Sequence, residues 1–203
     1  MEAFHSLTGI AAALPQAHVD TDQIMPKQFL RGIDRQGLSQ GFLFDMRFEA
    51  PGKPRPDFVL NRAPWQQAAL LITGPNFGCG SSREHAVWAL SDYGIRVLLA
   101  PRFADIFFNN CFKNGLLPIT LSSELIEQLF NEVGYNPGYT LTVDLPSQTI
   151  RSSTGMSMSF EIDATRKHRL LEGLDDIGIT LKNAERIRAY EARQRIATPW
   201  LFN

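Results

Sequence analysis

Apolar positions in this chain fall into short dense runs separated by polar turns, and each run predicts an element. Ala68-Ala69-Leu70-Leu71-Ile72-Thr73, Ile95-Arg96-Val97-Leu98-Leu99-Ala100 and residues 116–121 are largely apolar stretches with a glycine or proline beside them. Runs of that length, so punctuated, read as buried strands. Between them, residues 84–92 and 104–114 read as helices. Gly94 and Gly115 stop them, because glycine takes the left-handed C-terminal conformation without a Cβ clash. Strand, helix, strand, helix and strand in roughly fifty residues predict parallel βαβ units.

The flanks are less regular. Residues 6–12 predict a strand that ends before Pro15, and Asp20-Thr21-Asp22-Gln23-Ile24-Met25-Pro26-Lys27 packs helix-capping types ahead of a proline. Such a stretch starts a helix or simply satisfies a loop. Residues 31–41 hold three glycines among polar residues and predict a mobile loop. Residues 50–56, with three prolines and a glycine, predict a surface connection, and Phe58-Val59-Leu60 a short strand. Ser122 caps a helix with Leu125, Ile126, Leu129 and Phe130 at helical spacing. Beyond Gly134, residues 139–145, 149–153 and 157–162 predict strands with turns at Pro146 and Gly155. Helices at 164–172 and 180–196 follow, separated by Gly173 and Gly178. The expectation is one α/β domain over residues 1–203. It has a parallel βαβ core, antiparallel strands late in the chain and a C-terminal helical extension from about residue 164.

Composition narrows the classes. Twenty basic and twenty-one acidic residues leave a formal charge of −1, and no basic or aromatic-basic stripe suggests nucleic acid. No apolar segment approaches the ~20 residues of a membrane span. Glu2, rather than Lys or Arg, precedes the apolar patch at residues 7–14, which argues against a secretory signal. Two cysteines, Cys79 and Cys111, are too few for a disulfide scaffold and suit a reduced, cytoplasmic setting. With four scattered histidines they form no metal site at the usual spacings.

The chemistry concentrates between the first buried run and the helix at 84. Gly74-Pro75-Asn76-Phe77-Gly78-Cys79-Gly80-Ser81-Ser82-Arg83-Glu84-His85 puts three glycines, two hydroxyls and a guanidinium at a helix start, where free N–H groups and the dipole favour an anion. The P-loop lysine is missing, the third Rossmann glycine is replaced by Arg83, and no glycine lies two residues beyond either serine as a hydrolase elbow requires. Two hydroxyls beside a guanidinium suit a carboxylate.

A serine here binds the anion or acts as a base, and the second role is demanding. A hydroxyl is about as weak an acid as bulk water, so ionising it near neutrality costs ~12 kcal/mol. One cation about 4 Å away supplies ~4 kcal/mol at an effective dielectric of ~20. Arg83 alone is insufficient, and another charge or a metal has to help.

Asn76-Phe77-Gly78-Cys79-Gly80-Ser81-Ser82-Arg83-Glu84-His85 resembles the serine-arginine signature of the swivelling domain in the aconitase superfamily. Val19-Asp20-Thr21-Asp22-Gln23-Ile24, Pro26-Lys27-Gln28-Phe29-Leu30, Phe103-Ala104-Asp105-Ile106-Phe107, Leu116-Leu117-Pro118 and Gly173-Leu174-Asp175-Asp176-Ile177-Gly178 are similar to the bacterial small-subunit branch of the 3-isopropylmalate dehydratases. The resemblance spans nearly the whole chain. It implies an aconitase-like swivelling β/β/α domain, and a hydro-lyase of leucine biosynthesis that isomerises 2- and 3-isopropylmalate through isopropylmaleate. It further implies a heterodimer with a [4Fe–4S] cluster on the large subunit and none on this chain. Carried over, Ser81 takes the position of the base, and Ser82 and Arg83 contact a substrate carboxylate. Arg31 and Lys27 are further substrate-side candidates, and the 31–41 segment is where side-chain selection is expected. Gly78, Gly80, Asp20 and Asp22 shape the loop.

Related substrates (citraconate/2-methylmalate or homoaconitate) keep the same mechanism. A free-standing serine hydrolase and a non-catalytic anion-binding module are the readings from other classes. Cys79 and Cys111 read as packing residues, and His85 as a cap, packing residue or site donor. The apolar tail Thr198-Pro199-Trp200-Leu201-Phe202 can pack on the domain or on a partner.

Overall fold

The computed structural model describes residues 1–30 and 36–202. Its centre is a seven-stranded sheet in which strand β1 (Ser6–Leu14) joins two kinds of pairing. On one side β1 runs parallel to β4 (Ala68–Thr73), which is followed outward by β5 (Val97–Ala100) and β6 (Leu117–Thr120), all parallel. On its other side it pairs antiparallel with β7 (Thr140–Asp144), and then come β8 (Thr149–Ser152) and β9 (Ser157–Ser159). The strand order β6-β5-β4-β1-β7-β8-β9 thus bears out the parallel core and the antiparallel late strands. Close approach of β1 and β4 is built in at Gly9, where a Cβ would stand 2.7 Å from that of Ala69.

The helices cover the parallel strands, as fully apolar strands require. Leu70, Leu71 and Ile72 of β4 and every residue of β5 are buried. Helix α3 (Glu84–Tyr93) contributes Ala86, Val87, Ala89 and Leu90 to this core. It ends where Gly94 turns left-handed at φ 107° and Ile95 N–H bonds Leu90 C=O. Ile95 therefore belongs to the helix cap, which is why β5 starts at Val97. Helix α4 (Asp105–Lys113) buries Phe107, Cys111 and Phe112. Burial pushes the Cys111 thiol up, so it packs as a small apolar group. Helix α5 (Ser123–Tyr135) starts at Ser122, whose Oγ accepts from Leu125 N–H at 3.3 Å, and it buries Ile126, Leu129 and Val133.

Four expectations change. Residues 58–60 do not form a strand. Val59–Asn61 is a 3₁₀ turn, pinned by Asn61 Nδ2 donating to the carbonyls of Arg47 and Arg55. Residues 50–56 are exposed, as expected of a surface connection, but are not irregular: β2 (Phe48–Ala50) pairs with β3 (Lys53–Pro54) around Gly52, after the short helix α2 (Phe44–Arg47). The described part of the 31–41 segment is anchored. Leu38 is buried, Ser39 N–H bonds Asp92, and Arg47 reaches the Ser39 carbonyl. Finally, Gly178 lies inside helix α7 (Asp176–Leu181), because Asp175 caps it by accepting from Gly178 N–H at 2.7 Å. The 180–196 helix is accordingly two: α7, and α8 (Ala184–Ala197).

Helix α6 (Ala164–Glu172) is tied to the sheet region by Leu170, which is buried and whose carbonyl accepts from Phe4 N–H. Neither α7 nor α8 contains a buried residue. No described helix is long and apolar enough to cross a membrane.

Candidate active-site half

The carboxyl ends of parallel strands are where an α/β sheet exposes loops that converge on ligands, and three such ends meet here. After β1 the chain enters helix α1 (Thr21–Ile24) through a capping box: Asp20 accepts from Gln23 N–H, and the Gln23 side chain accepts from Asp20 N–H. After β4 comes the glycine loop. After β5 comes the start of α4. Backbone bonds lock the three together. Gly78 N–H donates to Val19 C=O at 2.8 Å, Thr21 N–H to Cys79 C=O at 2.8 Å, and Ala104 N–H to Phe77 C=O at 3.1 Å.

Local conformation explains the glycines. Gly78 and Gly80 have φ of 78° and 90°, values that disfavour any residue with a Cβ. At Gly78 the constraint is double, since a Cβ would fall 2.1 Å from the Phe107 ring. Beyond them Ser81 and Ser82 are exposed. The Ser81 backbone is held by Thr21, whose hydroxyl donates to the Ser81 carbonyl at 2.9 Å. These groups line a cavity of about 240 Å³ with Arg83, Asp105, Ile106 and Asn110. Ile106 is its exposed apolar member, with 55% of its surface open.

Arg83 enters this cavity already partnered. Its Nη1 donates to Asp22 Oδ1, with 16% of the arginine side chain and 44% of the aspartate exposed. The bond and charge of Arg83, with help from Lys27, hold the Asp22 carboxyl below its ordinary value. A depressed carboxylate contributes stability that is present above its unfolded value and is lost as pH falls through the folded one. In Asp22→Asn, thermal stability should therefore depend less on pH below about 4. An acid limb identical to wild type in melts at stepped pH would show that the ion pair is not what titrates. The same variant frees the guanidinium to wander, so the KM for a dicarboxylate should rise about tenfold, the scale of one charged hydrogen bond.

The electrostatic sum is modest. Arg83 is offset by Asp22, and the first turns of α3 and α4, whose N-termini edge the cavity, carry Glu84 and Asp105. Each helix end supplies roughly half a positive charge, and these carboxylates oppose it. Among the described residues, the cavity therefore offers hydroxyls and backbone dipoles but no surplus of positive charge for a dianion.

Of the residues singled out from the sequence, Ser81, Ser82, Arg83, Gly78 and Gly80 all line one cavity. Asp20, the cap of α1, and Asp22, in its first turn, support it. Lys27 begins the 3₁₀ turn Lys27–Phe29, outside the cavity lining but within electrostatic reach of Asp22. Arg31 lies outside the described residues. Cys79 Sγ approaches the His18 carbonyl at 3.5 Å, and the His85 ring tilts onto Trp88 at 4.7 Å. Thr21, Ile106 and Asn110 were not singled out. The only sequence signal for them was their place within the resemblance motifs or beside one. Among the described residues, no three of His, Cys, Asp and Glu cluster as a metal site.

Comparison with known proteins agrees with this architecture. The family model of the aconitase C-terminal domain matches residues 1–124, and a model described as LeuD_N matches 127–164. A third, described as the C-terminal domain of the 3-isopropylmalate dehydratase small subunit, matches 176–203. The 3-isopropylmalate dehydratase small subunit of Rhodospirillum rubrum is 56% identical, covering 99% of this chain and 97% of its own length. That of Paramagnetospirillum magneticum is 53% identical, covering 99% and 100%. A crystal structure of 3-isopropylmalate dehydratase from Methanocaldococcus jannaschii superposes with a TM-score of 0.67 at 26% identity, over 92% of this chain and 99% of that one. With its serine-arginine loop at the carboxyl ends of β1, β4 and β5, the chain belongs to the 3-isopropylmalate dehydratase small-subunit family of the aconitase superfamily.

Proposed function

We propose that this chain supplies the proton-handling half of a heterodimeric active site that interconverts 2-isopropylmalate and 3-isopropylmalate through isopropylmaleate. The observation that carries this reading is the exposed Ser81–Arg83 loop over a cavity whose own charges nearly cancel. A dicarboxylate needs more positive charge than that cavity provides, and Ser81 needs more help than Arg83 provides. Both deficits are met if a second protein closes the open side.

In this reading the cluster belongs to the partner. Cys79 and Cys111 fit no cluster here, one being in the glycine loop and the other buried in α4. A [4Fe–4S] centre held by the large subunit would act as Lewis acid on the substrate hydroxyl and a carboxylate. This chain's part is then defined. Ser81 Oγ takes the carbon-bound proton on dehydration and returns one on rehydration. Ser82 and Arg83 hold a substrate carboxylate, and Asp22 aims the guanidinium. Thr21 fixes the Ser81 backbone, so that the hydroxyl alone remains free to turn. Lys27, which lies outside the cavity lining, and Arg31 are proposed on the substrate side.

Substrate choice is tested directly. In an anaerobic complex with the cluster-bearing large subunit, kcat/KM for 2-isopropylmalate should exceed that for 2-methylmalate and homocitrate by at least about 100-fold, the scale of a few buried methyl groups. A higher value for either competitor would reassign the chain to that related hydro-lyase.

A further inference from the structure

We infer that residues 176–202 form a docking arm for the large subunit, an inference that rests on the two-subunit reading above. Helix α8 runs fourteen residues and, like α7, buries none of them. A lone helix of that length is marginal in water, so its own domain does not account for its stability. Large apolar side chains are left open along it and its tail: Ile196 is 84% exposed, Trp200 69% and Leu201 70%. Ile187 and Tyr190 line one groove with Arg186 and Arg193. An apolar centre flanked by cations has the make-up of a protein-binding surface rather than of a solvated face.

Three observations favour the large subunit over a second copy of this chain. The first is charge. From Lys182 to Arg195 there are five basic and two acidic residues, so two copies pairing through the same face would set arginines against arginines. An acidic, apolar partner surface is complementary. The second is position. At its root Asp176 pairs with Arg169 and Lys113, and Ile177 shares a cavity of about 210 Å³ with Glu84, the first residue of α3. The arm thus leaves the body beside the helix that begins at the serine loop, and a protein covering that loop is within its reach. The third is sequence. The arm coincides with the segment whose family model is named for the dehydratase small subunit, apart from the aconitase C-terminal domain matched at residues 1–124.

The test is binding of the full chain to its cluster-bearing large subunit under anaerobic conditions, measured by calorimetry. Ile187→Glu/Tyr190→Glu should weaken it by about 100-fold, as expected for two interface anchors. Arg186→Glu/Arg193→Glu should weaken it less, with a reduced salt dependence. Since α8 holds no buried residue, both variants should melt within about 2 °C of wild type, and kcat at saturating large subunit should stay within about twofold. Unchanged affinity in the first variant would overturn the arm as a docking element. So would a wild-type chain that dimerises through α8 and becomes monomeric in that variant. Absence of 2-isopropylmalate turnover by a tightly formed wild-type complex would instead overturn the functional reading and leave the arm's role standing.

Discussion

Ser81→Ala in the reconstituted complex should lose between about 100-fold and 10,000-fold in kcat, the range for removing a general base. KM and the affinity for the large subunit should change little. The Ser81 side chain is exposed, and what holds the loop is its carbonyl, which accepts from Thr21. Alanine retains that carbonyl, so the loop and the thermal midpoint should be preserved. The prediction separates the two roles a serine can have here. If Ser81 only bound the substrate carboxylate, its loss would raise KM and spare kcat. Exchange of the carbon-bound hydrogen with deuterated solvent gives a second readout. It should vanish in the variant, and exchange at the wild-type rate would assign the proton to another group.

The second large effect is on the scaffold. Gly78→Ala combines a positive φ of 78° with a Cβ placed 2.1 Å from Phe107 Cγ. The left-handed backbone costs about 1–2 kcal/mol for an L-residue, and forcing a methyl group into packed surroundings costs about 1–3 kcal/mol more. Together, about 3 kcal/mol should lower the melting midpoint by roughly 6–12 °C for a chain of this size. Phe107 packs edge-on against Phe77 at 5.5 Å and stacks toward Phe103 at 6.4 Å, so the ring has little room to withdraw. Phe107→Ala combined with Gly78→Ala should cost less than the sum of the two single changes, because alanine lacks the Cγ and Cδ1 that the new methyl group would meet. Differential scanning calorimetry of the single and double variants checks both statements. A Gly78→Ala midpoint equal to wild type would mean that the loop backbone is free to adopt another conformation.

Most of the βαβ core was legible because its signals are local. Six-residue apolar runs with Gly or Pro beside them marked β4, β5 and β6, and Ser122 ahead of a helical stripe marked the start of α5. Composition and order also placed Ser81, Ser82 and Arg83 together, since they are neighbours in the chain. What stayed hidden depends on contacts between distant segments. Nothing in residues 20–22 announces that Asp22 pairs with an arginine 61 positions away, or that Thr21 donates to the carbonyl of Ser81. The central place of β1, parallel on one edge and antiparallel on the other, follows from register rather than from its own pattern. Ile106 and Asn110 enter the cavity only because α4 starts at the end of β5. Where local pattern misled, a side chain had overruled it. Asn61 closes a turn on what looked like a strand, and Asp175 starts a helix across Gly178.

The Asp22–Arg83 pair also alters the chemical picture drawn from the sequence. There, Arg83 was the one cation near Ser81 and already too weak to make it a base. With its charge offset by Asp22, it does even less for the hydroxyl and more for geometry. The bond from Nη1 to Asp22 fixes the direction of the planar guanidinium, which suits a carboxylate better than it suits activation of a serine. Catalysis shared across two chains therefore gains a physical basis in the cavity itself.

The most direct measurement compares three anaerobic samples with 2-isopropylmalate: this chain alone, the cluster-bearing large subunit alone, and the two mixed. Turnover is expected in the mixture only, with isopropylmaleate as the intermediate species. Turnover by this chain alone would contradict the division of labour proposed here, because the cavity between α1, α3 and α4 would then be a complete active site rather than half of one.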